Sequence, residues 1–199
     1  MASTDLASQI VALAEPSSYP CLFLGRATFA HRLWPHLPSL ILIEQRLKAR
    51  RLARRRAGLS ALRADRGQLP FATACAGTVI AMDILKSGDA ATLLADWHRC
   101  IIHGGRLIVS ETLRGAAGHA LHSFGRGLQR FAAEDLTALF LNAGFTEIAQ
   151  HWPPGGAMIT IGRVHRLPMV PADNAPDDDM QETAAINSDA GTGPDSHGR

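Results

Sequence analysis

The sequence predicts an α/β fold: a seven-stranded, mostly parallel sheet with helices on both faces, ending in a C-terminal antiparallel hairpin. Two observations carry this expectation. From Cys21 onward, short β-rich apolar runs alternate with helical patterns, as strands joined by crossover helices do. The last two apolar runs are separated only by Pro153, Pro154, Gly155 and Gly156, a connection too short for anything but antiparallel pairing.

Each element has its own local reason. A short helix over about 4–14 starts at Ser3 or Thr4 and closes before Pro16. CLFL (21–24) is the first strand. The helix after it runs to about Leu37, shortened or kinked by Pro35 and Pro38. LILIE (40–44) is the second strand, apolar up to its terminal acid. QRLKARRLARRRA (45–57) is the next helix, ended by Gly58. SALRA (60–64) is a weak third strand and GTVIAMDIL (77–85) carries the fourth. In DAATLLADWHRCI (89–101), Leu93, Leu94, Trp97 and Ile101 recur at helical spacing. GGRLIVSETL (104–113) turns on glycine into the fifth strand. AEDLTALFLNAGF (133–145) is an amphipathic helix closed by Gly144, and TEIAQHW and AMITIGRV are the last two strands.

The 199 residues suit one domain with a full core plus a tail. The boundaries read as an N-terminal extension over 1–20, a folded domain over 21–164 and an acidic tail over 165–199. That tail holds two arginines against seven acids, so the overall charge of +2 divides into −5 there and +7 on residues 1–164. It has almost no large apolar side chain after Val170, too little to offset the entropy of ordering it, and disorder is expected. No run of 18 apolar residues or more could span a bilayer, and the N-terminus lacks the pattern of a secretory signal. A cytoplasmic location is expected. Cys21, Cys75 and Cys100 are far apart in sequence with no metal-ligand spacing, and read as free, mostly buried thiols.

Residues 21–164 resemble the class I S-adenosylmethionine-dependent methyltransferases, in particular the broad type 11 group that acts on small molecules. The resemblance rests on CLFLGRATF, LILIEQRLKARRLARRRAG, LRADRGQLPFATACAGTVIAMDIL, LLADWHRCIIHGGRLIVSETL and RFAAEDLTALFLNAGFTEI, in that order. It implies a Rossmann-like sheet with S-adenosylmethionine at the carboxyl ends of the strands, where the strand order reverses. By this resemblance Glu44 matches the acid that holds both ribose hydroxyls, which suits an acceptor with room for two donors. Asp65 matches the acid that accepts from the adenine amino group, and Leu69, with Pro70 and Phe71, shapes the adenine side. Gly25 and Ala27 fall in the loop that faces the methionine end.

The first loop departs from the family's D-x-G-x-G-x-G pattern. Phe23, Gly25, Ala27 and Phe29 occupy its defining positions, so only the first glycine is kept. Glycines there let backbone N–H groups approach the ligand without a Cβ in the way. Ala27 adds one methyl group. Phe29 either fills the crevice or turns into the interface between sheet and helix.

Two further features stand apart. Arg46, Lys48, Arg50, Arg51, Arg54, Arg55 and Arg56 put seven bases into eleven residues with no acid among them. Such a helix is either a solvated face or a site for anionic partners, RNA included. The glycine-rich stretch 114–130 carries His119 and His122, three apart. These and Asp83, at the fourth strand's exit, are candidates for substrate contact or general base chemistry, with no metal expected. Two functions follow from the resemblance and its departures. One is methyl transfer from S-adenosylmethionine to a small-molecule acceptor. The other is a catalytically inactive scaffold of the same fold.

Overall fold

A computed structural model describes residues 5–14, 18–45, 59–85, 88–112, 131–153 and 157–166, all within the compact unit that ends at Arg166. The arginine-rich stretch 46–56, His119, His122, the hairpin turn 154–156 and residues 167–199 of the acidic tail lie outside the described residues.

The elements follow in chain order as α1 (Leu6–Ala14), β1 (Cys21–Leu24), α2 (Ala27–Leu33), β2 (Leu40–Glu44), β3 (Ser60–Arg63) and β4 (Ala76–Met82). Then come α3 (Ala90–Cys100), β5 (Ile101–Thr112), α4 (Ala133–Asn142), β6 (Phe145–His151) and β7 (Ala157–Val164). The sheet order is β3-β2-β1-β4-β5-β7-β6. β1 to β5 pair in parallel, while β7 runs antiparallel to both β5 and β6. This is the Rossmann-like arrangement with a closing hairpin. β1 pairs with β2 on one side and β4 on the other, so the chain reverses its order of march there and leaves a crevice at the carboxyl ends.

Both faces of the central strands are covered, which is why their sequences are apolar throughout instead of alternating. On one face Trp97, Leu94, Phe140 and Phe145 pack against Leu22, Leu24, Val79 and Val109. On the other, α1 and α2 contribute Ile10, Ala14, Ala30 and Leu33 to a cluster with Phe23, Leu42, Ile80 and Ile108. α1 is tied to the sheet by polar bonds as well. Thr78 Oγ1 donates to the Ala14 carbonyl at 3.0 Å and Arg106 Nη1 to the Leu13 carbonyl at 2.9 Å.

Three boundaries differ from the sequence expectation for local reasons. α2 stops at Leu33, and a turn over Trp34–His36 follows, because Pro35 has no N–H and disfavours helical geometry in the residue before it. α3 is capped at its start by Asp89, whose side chain accepts from the Ala91 N–H at 3.2 Å, and passes at its other end into β5 at Ile101 with no loop between. β5 thus begins three residues earlier than its glycine turn suggests. Its early part is irregular against β4, with Gly104 at a φ of +74° and the register shifted between Ala76 and Thr78. A Cβ on Gly105 would fall 2.7 Å from the Gly77 carbonyl oxygen, so only glycine allows this approach. Among the described residues no helix is long and apolar enough to cross a membrane.

Candidate functional site

Two adjoining pockets of about 280 and 290 Å³ open at the carboxyl ends of the parallel strands and share Gln45, Arg66 and Ile84. The first is bordered by Gly25 and Arg26 after β1, Glu44 at the end of β2, and Met82 and Asp83 at the exit of β4. The second continues toward Asp65, Gly67 and the first turn of α3. The structure therefore brings Gly25, Glu44 and Asp83 around one pocket and places Asp65 in its neighbour.

The turn between β1 and α2 is made by packing. Phe23 is fully buried, and its ring stacks on that of Phe29 at 6.3 Å between centroids and 16° between planes. Phe29 is half-buried against the α1 and α2 face, with the Arg32 guanidinium 5.6 Å from its centroid. Of the two orientations open to Phe29, the structure takes the one into the interface between sheet and helix. Gly25 lies directly over the Phe23 ring: a Cβ there would meet Phe23 Cζ at 2.7 Å and Met82 Cβ at 3.3 Å. The turn closes without a side-chain cap, because Arg26 at the N-cap position makes no such bond. Ala27 starts α2 and does not line either pocket.

The opposite wall is polar. Glu44 is 15% exposed, accepts from the Gln45 N–H at 3.1 Å through Oε1, and has Arg66 Nη2 3.8 Å from the same oxygen. Arg66 is held from behind, since its carbonyl accepts from the indole N–H of the fully buried Trp97 at 2.8 Å. Its Nε is buried with no hydrogen-bond partner among the described residues. Asp65 is exposed and caps its own turn by accepting from the Gly67 N–H at 2.9 Å. Leu69 stands behind this wall. Its side chain is buried in the core, its N–H donates to Asp96 Oδ2 at 2.7 Å, and its carbonyl accepts from Arg99 Nη2 at 3.0 Å. Arg99 also donates to the Phe71 carbonyl at 2.7 Å, so the segment carrying Asp65 and Arg66 is fastened to α3.

At the exit of β4, Asp83 adopts a left-handed backbone with φ of +54°, an unfavourable conformation for a residue with a Cβ. Its N–H donates to the Ser110 carbonyl at 2.9 Å. Just beyond, Glu111 Oε1 accepts from the N–H groups of Ile84 at 2.7 Å and Leu85 at 2.8 Å. Glu111 is 2% exposed, so a buried carboxylate sets the path of the turn that borders the crevice. The signal for it in the sequence is slight: an acid two residues after the apolar run LIV, within the same strand. Among the described residues no group of three or more His, Cys, Asp or Glu is placed to hold a metal ion.

No protein-family model matches this sequence, and no curated protein matches it by sequence. Solved structures do match in shape. A methyltransferase of Thermotoga maritima that depends on S-adenosylmethionine has a TM-score of 0.63 at 20% identity, over 78% of this chain and 86% of the other. The methyltransferase in a Haloferax volcanii complex with a methyltransferase activator has a TM-score of 0.68 at 16% identity, over 80% and 89%. Human N-acetylserotonin methyltransferase bound to S-adenosylmethionine has 0.66 at 18% identity, over 80% of this chain and about half (52%) of the human one. The fold is that of the class I S-adenosylmethionine-dependent methyltransferases.

Proposed function

We propose that the crevice binds S-adenosylmethionine and that the chain transfers its methyl group to a small-molecule acceptor. The observation that carries this reading is the position of Phe29, whose ring is turned into the core against Phe23 instead of the crevice that Gly25 borders. Two acceptors support this reading at the nucleoside end. Glu44, largely buried at the end of β2, suits a ribose diol, and Asp65 in the adjoining pocket suits an exocyclic amine. At the other end the reading rests on main chain, with the backbone of Gly25 bordering the pocket.

When bound, the cofactor supplies a methyl group made electrophilic by its sulfonium. The residues of the chain need only fix the geometry, excluding water and aligning an acceptor with that methyl. Asp83, which lines the same pocket as Gly25 and Glu44, would hold an acceptor hydroxyl or amine and take its proton. Calorimetric titration of the folded protein with S-adenosylmethionine and its demethylated product tests the proposal. Binding is expected for both, with roughly tenfold or greater weakening in Glu44→Gln, since a charged acceptor is lost. No heat at millimolar ligand would sink the enzyme reading.

A second reading is a scaffold of this fold without cofactor. Arg66 favours it, because a cation 3.8 Å from Glu44 already occupies part of the space a diol needs. The arginine-rich stretch 46–56 would then hold an anionic partner or RNA, and retention on RNA that falls with salt and vanishes in Arg50→Gln, Arg51→Gln, Arg54→Gln, Arg55→Gln would support it.

A further inference from the structure

Cys75 and Cys100, 25 positions apart in sequence, meet where the end of α3 passes the start of β4. The Cys75 N–H donates to the Cys100 carbonyl at 2.9 Å, and the preceding Ala74 N–H donates to the Arg99 carbonyl, also at 2.9 Å. Standard bond lengths on either side of the first bond limit the two Cα atoms to about 6.8 Å apart, the upper edge of the range that a disulfide spans. Both side chains pack against the same core cluster, on the α3 and α4 face of the sheet. Cys21 packs in the cluster on the opposite face.

We propose that Cys75 and Cys100 form a modification site, a dithiol that a peroxide closes to an intramolecular disulfide. The two thiols differ in access, which assigns their roles. Cys75 is half-buried and reachable from solvent, whereas Cys100 is fully buried. Burial also pushes the Cys100 thiol up to about 11, partly offset by the Arg99 guanidinium beside it, so it stays protonated until needed. In the first step the Cys75 thiolate attacks one peroxide oxygen. An S–O bond forms, the O–O bond breaks, and the other oxygen leaves as water after taking up a proton. In the second step the Cys100 sulfur, losing its proton, attacks the Cys75 sulfenic sulfur. The S–S bond forms, the S–O bond breaks and a second water leaves. The two sulfurs give up two electrons in total and the peroxide takes them. The product ties the last residue of α3 to the strand entry, next to the segment that Arg99 already fastens through Leu69 and Phe71. The proposal does not depend on methyl transfer.

The test is treatment of the folded, full-length chain with hydrogen peroxide, followed by alkylation under denaturing conditions, intact mass and non-reducing peptide mapping. The expected product is about 2 Da lighter than the reduced chain before alkylation, takes up one alkyl group, on Cys21, where the reduced chain takes up one on each of its cysteines, carries a peptide pair joined through Cys75 and Cys100, and reverts with a dithiol reductant. In Cys75→Ser the joined pair should disappear and Cys100 should remain alkylatable. Accumulation of Cys75 as sulfinic or sulfonic acid with Cys100 still a thiol would overturn the proposal. So would a bridge that involves Cys21, or one formed only between chains.

Discussion

The turn after β1 and the turn after β4 border the same crevice and are held by opposite means. The first is an apolar construction: Gly25 rests on the Phe23 ring, Phe29 stacks on Phe23, and no side chain caps the helix that follows. The second is polar: the buried Glu111 carboxylate gathers the N–H groups of Ile84 and Leu85, and Asp83 bears a left-handed backbone. Packing degrades in steps as atoms are removed. A buried acceptor serving two amides is lost all at once.

Glu111→Ala should therefore have the largest effect, about 3 kcal/mol of stability, because two buried N–H groups lose their acceptor. Glu111→Gln should cost much less, since both bonds go to one oxygen that an amide carbonyl can replace. Chemical denaturation measures both, and equal losses would show that charge, not the acceptor, holds this turn. Gly25→Ala comes next at about 2 kcal/mol, as the new methyl meets a ring that is fully buried and cannot swing away. Adding Phe23→Leu should recover part of the loss, and strict additivity of the two would break the packing account. Phe29→Ala should cost about 1 kcal/mol, given its half-buried ring, and leave affinity for S-adenosylmethionine unchanged. Tighter binding in that variant would mean the ring obstructs the crevice after all. The smallest change is expected for Asp83→Gly, within about 0.5 kcal/mol in a thermal melt, because the left-handed strain it relieves is set against the side chain it removes and the freedom glycine adds to the unfolded chain. A larger loss of stability there would show that the carboxylate contributes more to this turn than its backbone costs.

The strands were legible because their signal is local. CLFL, LILIE and GTVIAM are apolar runs between breakers, and nothing in the tertiary structure had to be known to find them. The same holds for Glu44, whose place at the end of an apolar run puts it at a strand mouth. Features that depend on a partner elsewhere were not legible. The direction of the Phe29 ring is decided by Phe23 and the α1 and α2 face, and the meaning of Glu111 by two amides 26 and 27 residues away. Arg66 could not be placed beside Glu44 from sequence, since the residues between them leave the approach of the two ends undetermined. The cysteines show the limit most simply, because spacing separated Cys75 from Cys100 and backbone hydrogen bonding joined them.

The attachment of α1 has a consequence in time. Its polar ties reach across 64 positions to Thr78 and 93 to Arg106. A chain made from its N-terminus completes this helix early but cannot seat it until β4 and then β5 exist. Until then Ala7, Ile10 and Ala14 have only the α2 side to lean on. A nascent chain halted before Arg106 thus presents an unfinished apolar surface, the kind that chaperones and proteases act on, and α1 becomes the piece whose docking reports that synthesis has passed the middle of the domain.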